Sequence, residues 1–152
     1  MTLAGSIAAA LYNNWSLSGA GTKTAITFGT LKDWYNPTYA SSPQITVSDL
    51  TEIENKFFLS NGGTLQIHSY PRYVVNCWVP IPRGCIGTSE SQLAEDMRYE
   101  VCRIICAKRR NIATFNVITP ENLGIPLHEV NAEPRILRYE VTLVGAHDKV
   151  YG

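Results

Sequence analysis

The chain has 152 residues, with 13 Lys and Arg against 13 Asp and Glu, so its formal net charge is zero. That balance excludes a bulk basic field for nucleic acid and an acidic tail, and the apolar and aromatic residues spread along the chain exclude disorder. The length suits a single domain over 1–152 with a buried core, no run is apolar enough to span a membrane, and four cysteines in a chain of this size make no disulfide scaffold and suit a reducing compartment.

Residues 3–15 place Leu3, Ile7, Ala10 and Leu11 on one side of a short N-terminal helix; no Lys or Arg precedes them, so a signal peptide is not the reading. A Ser/Gly-rich connection follows. Thr24 to Leu31 alternates as a strand, with Gly29 marking a bulge. Asp33 to Pro43 is rich in aromatics, proline and turn residues and reads as a long loop.

Pro43 to Leu50 is a strand with Ile45 and Val47 on one face. Ile53 to Leu59 fits no single class. Asn61-Gly62-Gly63 is a turn signal that pairs FFLS with TLQIHS as a hairpin. Tyr73 to Ile81 is apolar on both faces, as a central strand is, and Pro80 and Pro82 end it.

The longest periodic segment is Thr88 to Asn111. Leu93, Met97, Val101, Ile104, Ile105 and Lys108 form one helical stripe, and Ser89 with Gln92 has the spacing of a capping box. Glu95, Asp96 and Glu100 fall on the opposite, solvated side, where Glu100 can pair with Arg103. Ala113 to Ile118 is a strand, 119–134 an ordered excursion, and Ile136 to Ala146 the clearest alternating strand, with Leu137, Tyr139, Val141 and Leu143 on one face. The expected fold is α+β: an antiparallel sheet with one long amphipathic helix packed on one face and a short N-terminal helix. Segments 49–72 and 119–134 read as extended insertions within the single domain.

Chemistry is sparse. Cys77, Cys85, Cys102 and Cys106 match no common zinc spacing, and the reading for Cys77, Cys102 and Cys106 is small core thiols, without metal or other cofactor. Cys85 precedes the long helix, where a thiol pKa can fall, yet no base is tied to it by motif. Gly21 to Thr24 lacks the first glycine of a phosphate loop and reads as a turn. Lys108, Arg109 and Arg110, with Arg103, complement the helix C-terminus. Trp34, Tyr35 and Tyr39 lie in a loop without a local core, which suits a binding surface.

The order of elements resembles the tail-terminator and tail-completion proteins, the head–tail joining proteins of long-tailed bacterial and archaeal viruses. Trp34 before the loop, Pro43 to Ser48, Tyr73 to Pro82, Ser89 to Arg110 and Arg138 to Val144 carry the resemblance. It implies a non-enzymatic virion protein, assembled in the host cytoplasm. It also implies a homohexameric ring of the neck that caps the tail tube and meets the head-connector protein. Interface candidates are Trp34, Tyr35 and Tyr39 on one patch and Phe57 and Phe58 on another; Arg103, Lys108, Arg109 and Arg110 would face a lumen that passes DNA without sequence preference. A head-completion or adaptor role in the same neck stays open. So do a cellular α+β binding module and, from a different class, a cysteine-dependent enzyme.

Overall fold

The computed structural model describes residues 2–30, 42–61, 64–81, 88–128 and 135–151, with backbone alone at 51–61, 64–68, 88, 135 and 147–151. The elements are helix α1 (Leu3–Asn14), a 3-10 turn (Gly19–Gly21), β1 (Thr27–Thr30), β2 (Gln44–Asn61), β3 (Thr64–Ile81), helix α2 (Thr88–Ala107), β4 (Val117–Pro120), β5 (Ile125–Pro126) and β6 (Arg135–Tyr151). The strands form one sheet in the order β1-β2-β3-β6-β4, with β5 also on β6. The α+β class with one short and one long helix is what the periodicity predicts. The sheet is mixed rather than wholly antiparallel, because β1 runs parallel to β2. A parallel pair needs a crossover longer than a hairpin turn, and the chain between Thr30 and Gln44 is long enough to supply one.

Both helices contribute to a single core with one face of the sheet. That face alternates along each strand: Ile45 and Val47 from β2, Tyr73, Val75, Cys77, Val79 and Ile81 from β3, and Leu137, Tyr139, Val141 and Leu143 from β6. From α2 come Ala94, Met97, Val101, Ile104 and Ile105, all fully buried, with Leu93 packed at the margin. Burying each of the larger side chains is worth about 1.5–3 kcal/mol. The other sheet face is buried too, but polar. Gln44, Thr46, Asn76 and Thr142 lie there beside Val74 and Trp78. Trp78 Nε1 donates to Thr46 Oγ1 at 2.9 Å, and the Arg138 guanidinium stands 5.0 Å over the Trp78 ring. The Asn76 side-chain amide makes no hydrogen bond among the described residues.

The hairpin predicted around Gly62-Gly63 is present: β2 and β3 are antiparallel, closing with Asn61 opposite Thr64, and the turn residues themselves lie outside the described residues. Ile53 to Leu59 belongs to β2. β3 ends at Ile81, includes Pro71 and Pro80, and lies between β2 and β6, as its two apolar faces require. Gly29 marks no bulge; it pairs in register with Thr46.

The element ends differ from expectation in three places. α2 begins at Thr88, one residue before the expected cap, and Ser89 Oγ donates to the Glu90 carboxylate while Gln92 Nε2 donates to Asp96. It stops at Ala107, and 108–110 continue as a turn in which Asn111 N–H donates to the Lys108 carbonyl. The strand predicted over Ala113 to Ile118 starts only at Val117, because Ile112 and Phe115 turn inward and Ala113 adopts a left-handed φ of 46°.

Candidate assembly interface

β2, β3 and β6 run on past the core as a three-stranded arm. Among the described residues β1 reaches β2 only from Gln44 to Val47, and β4 reaches β6 only up to Ala146. Beyond those points β3 stays paired on both sides, through Asn61↔Thr64 with β2 and Leu65↔Tyr151 with β6. Among the described residues nothing pairs with the outer edge of either flanking strand along the arm. Each strand changes character at one shared level. Leu50 of β2 has no partner between Asp49↔Tyr73 and Thr51↔Arg72, and is half exposed. β3 carries Pro71, without an amide proton, where its pairing with β6 skips from Arg72 to Ser69. β6 carries Gly145, where an added Cβ would come 2.7 Å from the Phe115 ring. A bulge, a proline and a glycine side by side make a waist between body and arm.

Phe57 and Phe58 fall in a second irregularity of β2, between Asn55↔His68 and Leu59↔Gln66, where the strand has no register with β3. Their side chains, and Trp34, Tyr35, Tyr39 and Cys85 entirely, lie outside the described residues.

The basic candidates separate into two kinds. Arg103 is engaged inside the chain: its Nε donates to Glu100 at 3.0 Å and its Nη2 to the Asn14 carbonyl at 3.0 Å, placing a cation at the C-terminus of α1. Glu100 corrects the expectation of a solvated carboxylate. It is 6 % exposed and accepts from both Ser16 N–H (3.0 Å) and Ser16 Oγ (2.9 Å). Burial pushes its pKa up, but the Arg103 and Ser16 hydrogen bonds outweigh that and hold it below the ordinary carboxylate value. Arg109 Nη1 donates to the Cys106 carbonyl at 3.1 Å, while Lys108, Arg109 and Arg110 form no ion pair among the described residues. Lys108 lies beside a groove of about 350 Å³ between α1 and residues 111–113.

The thiols divide likewise. Cys77 and Cys102 are buried, and burial raises both pKa values, that of Cys102 to about 11. Cys106, expected in the core, is exposed: it follows Ile105 around the helix and leaves the stripe. No group of three His, Cys, Asp or Glu with metal-binding proximity occurs among the described residues.

A polar cluster that spacing does not reveal surrounds Arg98. Its guanidinium stacks 4.3 Å over the Tyr139 ring and 4.8 Å over Tyr99, and Nη1 donates to the Gly124 carbonyl at 3.0 Å. Gly124 has φ 107° and leaves no room for a Cβ beside Arg98 Cδ, 2.8 Å away. Below it a cavity of about 250 Å³ is lined by Ser91, Glu95, His128 and Tyr139 over Ala94 and Leu137. His128 Nδ1 accepts the Arg138 N–H at 3.1 Å, so the neutral ring carries its proton on Nε2 and offers a donor rather than a base or a metal ligand. Burial first, and the Arg98 charge after it, hold its pKa below the usual histidine value.

The clamp fixes residues 121–128 with their apolar side chains outward: Leu123 is 62 % exposed, Ile125 47 % and Leu127 37 %, beside Tyr99 at 50 %. Sequence reasoning missed this strip. The alternation Leu123, Ile125, Leu127 was the available signal, masked by the prolines on either side of it. No helix among the described residues is long and apolar enough to cross a membrane. No protein-family model and no curated protein matches the chain.

Proposed function

We propose that the protein is a structural subunit that assembles with copies of itself into a closed ring, and that this ring is the tail terminator in the neck of a long-tailed virus. The ring caps the tail tube and meets the head connector, and DNA passes through its lumen without being read. The observation that carries the assembly reading is the arm. A three-stranded extension whose outer edges pair with none of the described residues contributes little to its own body, and adding strands to such edges is a common way for chains to join. The place in the neck rests on the element order set out above, and a head-completion or adaptor ring is the nearest alternative. Lys108, Arg109 and Arg110 are the cations available to a lumen; Arg103 is committed to α1.

The test is made on particles. Mass spectrometry of purified virions should find the protein at a few copies per particle, in a multiple that matches a ring. The Trp34→Ala, Tyr35→Ala double variant, and separately Phe57→Ser with Phe58→Ser, should yield tails that fail to join heads while the purified subunit still melts cooperatively. Absence of the protein from virions defeats the reading.

A further inference from the structure

We propose that His128 is an acid-sensitive latch on the strap of residues 117–128, and that protonating its ring frees the end of the strap from the outer edge of β6. The latch is independent of the ring reading.

The strap runs along β6 and is tied at successive levels. β4 pairs with β6 from Val117 to Pro120. Glu121 N–H donates to the Thr142 carbonyl at 2.8 Å, and its carboxylate meets Arg72. Gly124 gives its carbonyl to Arg98 at 3.0 Å. The last tie is at Arg138. Residues in a hydrogen-bonded antiparallel pair exchange two backbone bonds. Here Leu127 N–H donates to the Arg138 carbonyl at 2.8 Å, but the return bond, from Arg138 N–H, goes to His128 Nδ1 at 3.1 Å. A ring nitrogen thus stands where a carbonyl would. A carbonyl keeps its lone pairs in mild acid, whereas an imidazole changes charge between about pH 5 and pH 8. Both nitrogens of the imidazolium are donors, so no turn of the ring restores an acceptor for Arg138 N–H. Pro126 has no amide with which to compensate.

The groups around the ring set the sign. From α2, Glu95 lines the cavity beside His128, with its carboxylate tied to Arg98 at 3.4 Å. From β6, the Tyr139 ring meets the imidazole edge-on at 5.2 Å, while Arg138 carries its guanidinium to the opposite sheet face, over Trp78. Glu129, next in the chain, lies outside the described residues. Burial first, and the Arg98 charge after it, hold the His128 pKa below the usual 6.5. The latch is therefore closed above that value and opens as pH falls through the folded pKa. Release stops at Gly124, which Arg98 holds. The freed end uncovers Ala94 and Leu137 at the cavity floor and bares the edge of β6 at residues 138–140, where another strand could add.

Hydrogen exchange read at single amides of the full chain tests this. After correction for intrinsic exchange, protection of the Leu127 and Arg138 amides should fall by up to about tenfold per pH unit below the usual histidine value. The Glu121 amide, bonded to Thr142, should keep its protection. His128→Gln offers an oxygen to accept the bond and has no proton to gain, so it should keep both amides protected over the same range. Glu129→Gln should behave as the wild type. Nitrogen NMR of the His128 ring at neutral pH should place its proton on Nε2. A proton on Nδ1, unchanged protection at Leu127 and Arg138, or an equal fall at Glu121 overturns the proposal. So does a fall that persists in His128→Gln or vanishes in Glu129→Gln.

Discussion

Glu100 is where chemistry within the fold is most concentrated. A carboxylate accepting four hydrogen bonds in a buried position joins α2 to the chain just after α1. Glu100→Gln keeps the shape and removes the charge, and should cost about 1–3 kcal/mol. Because the folded pKa lies below its ordinary value of 4.5, the stabilisation is complete above that value and is lost as pH falls through the folded pKa. Acid titration of stability should therefore be steeper for the wild type than for Glu100→Gln, with the difference developing below about pH 4.5; parallel acid limbs would refute it. The thiols give a second residue-scale expectation. With Cys77 and Cys102 buried and their pKa values raised, brief alkylation at neutral pH followed by peptide mapping should mark Cys106 and spare those two. Marking of Cys102 at the rate of Cys106 would contradict its burial.

At the scale of elements, α2 was the most legible part of the chain. Met97, Val101, Ile104 and Ile105 recur at helical spacing because a single face must pay for the helix, and that face is buried. Val101→Asp places an unpaired charge at full burial and should cost at least about 3 kcal/mol, read as loss of a cooperative melt. Glu100 was illegible for the opposite reason. Its burial comes from Ser16, 84 residues away, and no local period encodes that. The parallel placement of β1 is likewise decided by a crossover path, and the exposed strip by a two-residue strand too short to show a period. The waist yields one more expectation. Gly145→Ala drives a methyl into the Phe115 ring and should cost about 1–3 kcal/mol, seen as a lower midpoint in urea. An unchanged midpoint would mean the ring moves aside freely.

For the whole molecule, the arm and the body should be separable. Glu54 and Ser69 face each other in register, so replacing 55–68 with a tight Asn-Gly turn, and ending the chain at Ala146, removes the arm without touching the core. That variant should fold with a single transition and fail to assemble. Assembly that survives the deletion would shift the interface wholly onto the body.

The waist also has a mechanical reading. Ladder hydrogen bonds run across the strands, so a pull along the arm loads many of them at once in shear, whereas a sideways pull opens them one after another. β3 sits between its neighbours and carries tension into the body through residues 73–81, directly beneath α2. Above that anchorage, the bulge at Leu50, Pro71 and Gly145 interrupt the ladder at one level and leave it compliant to bending. The element is thus stiff along its length and yielding across it: a tether rather than a strut.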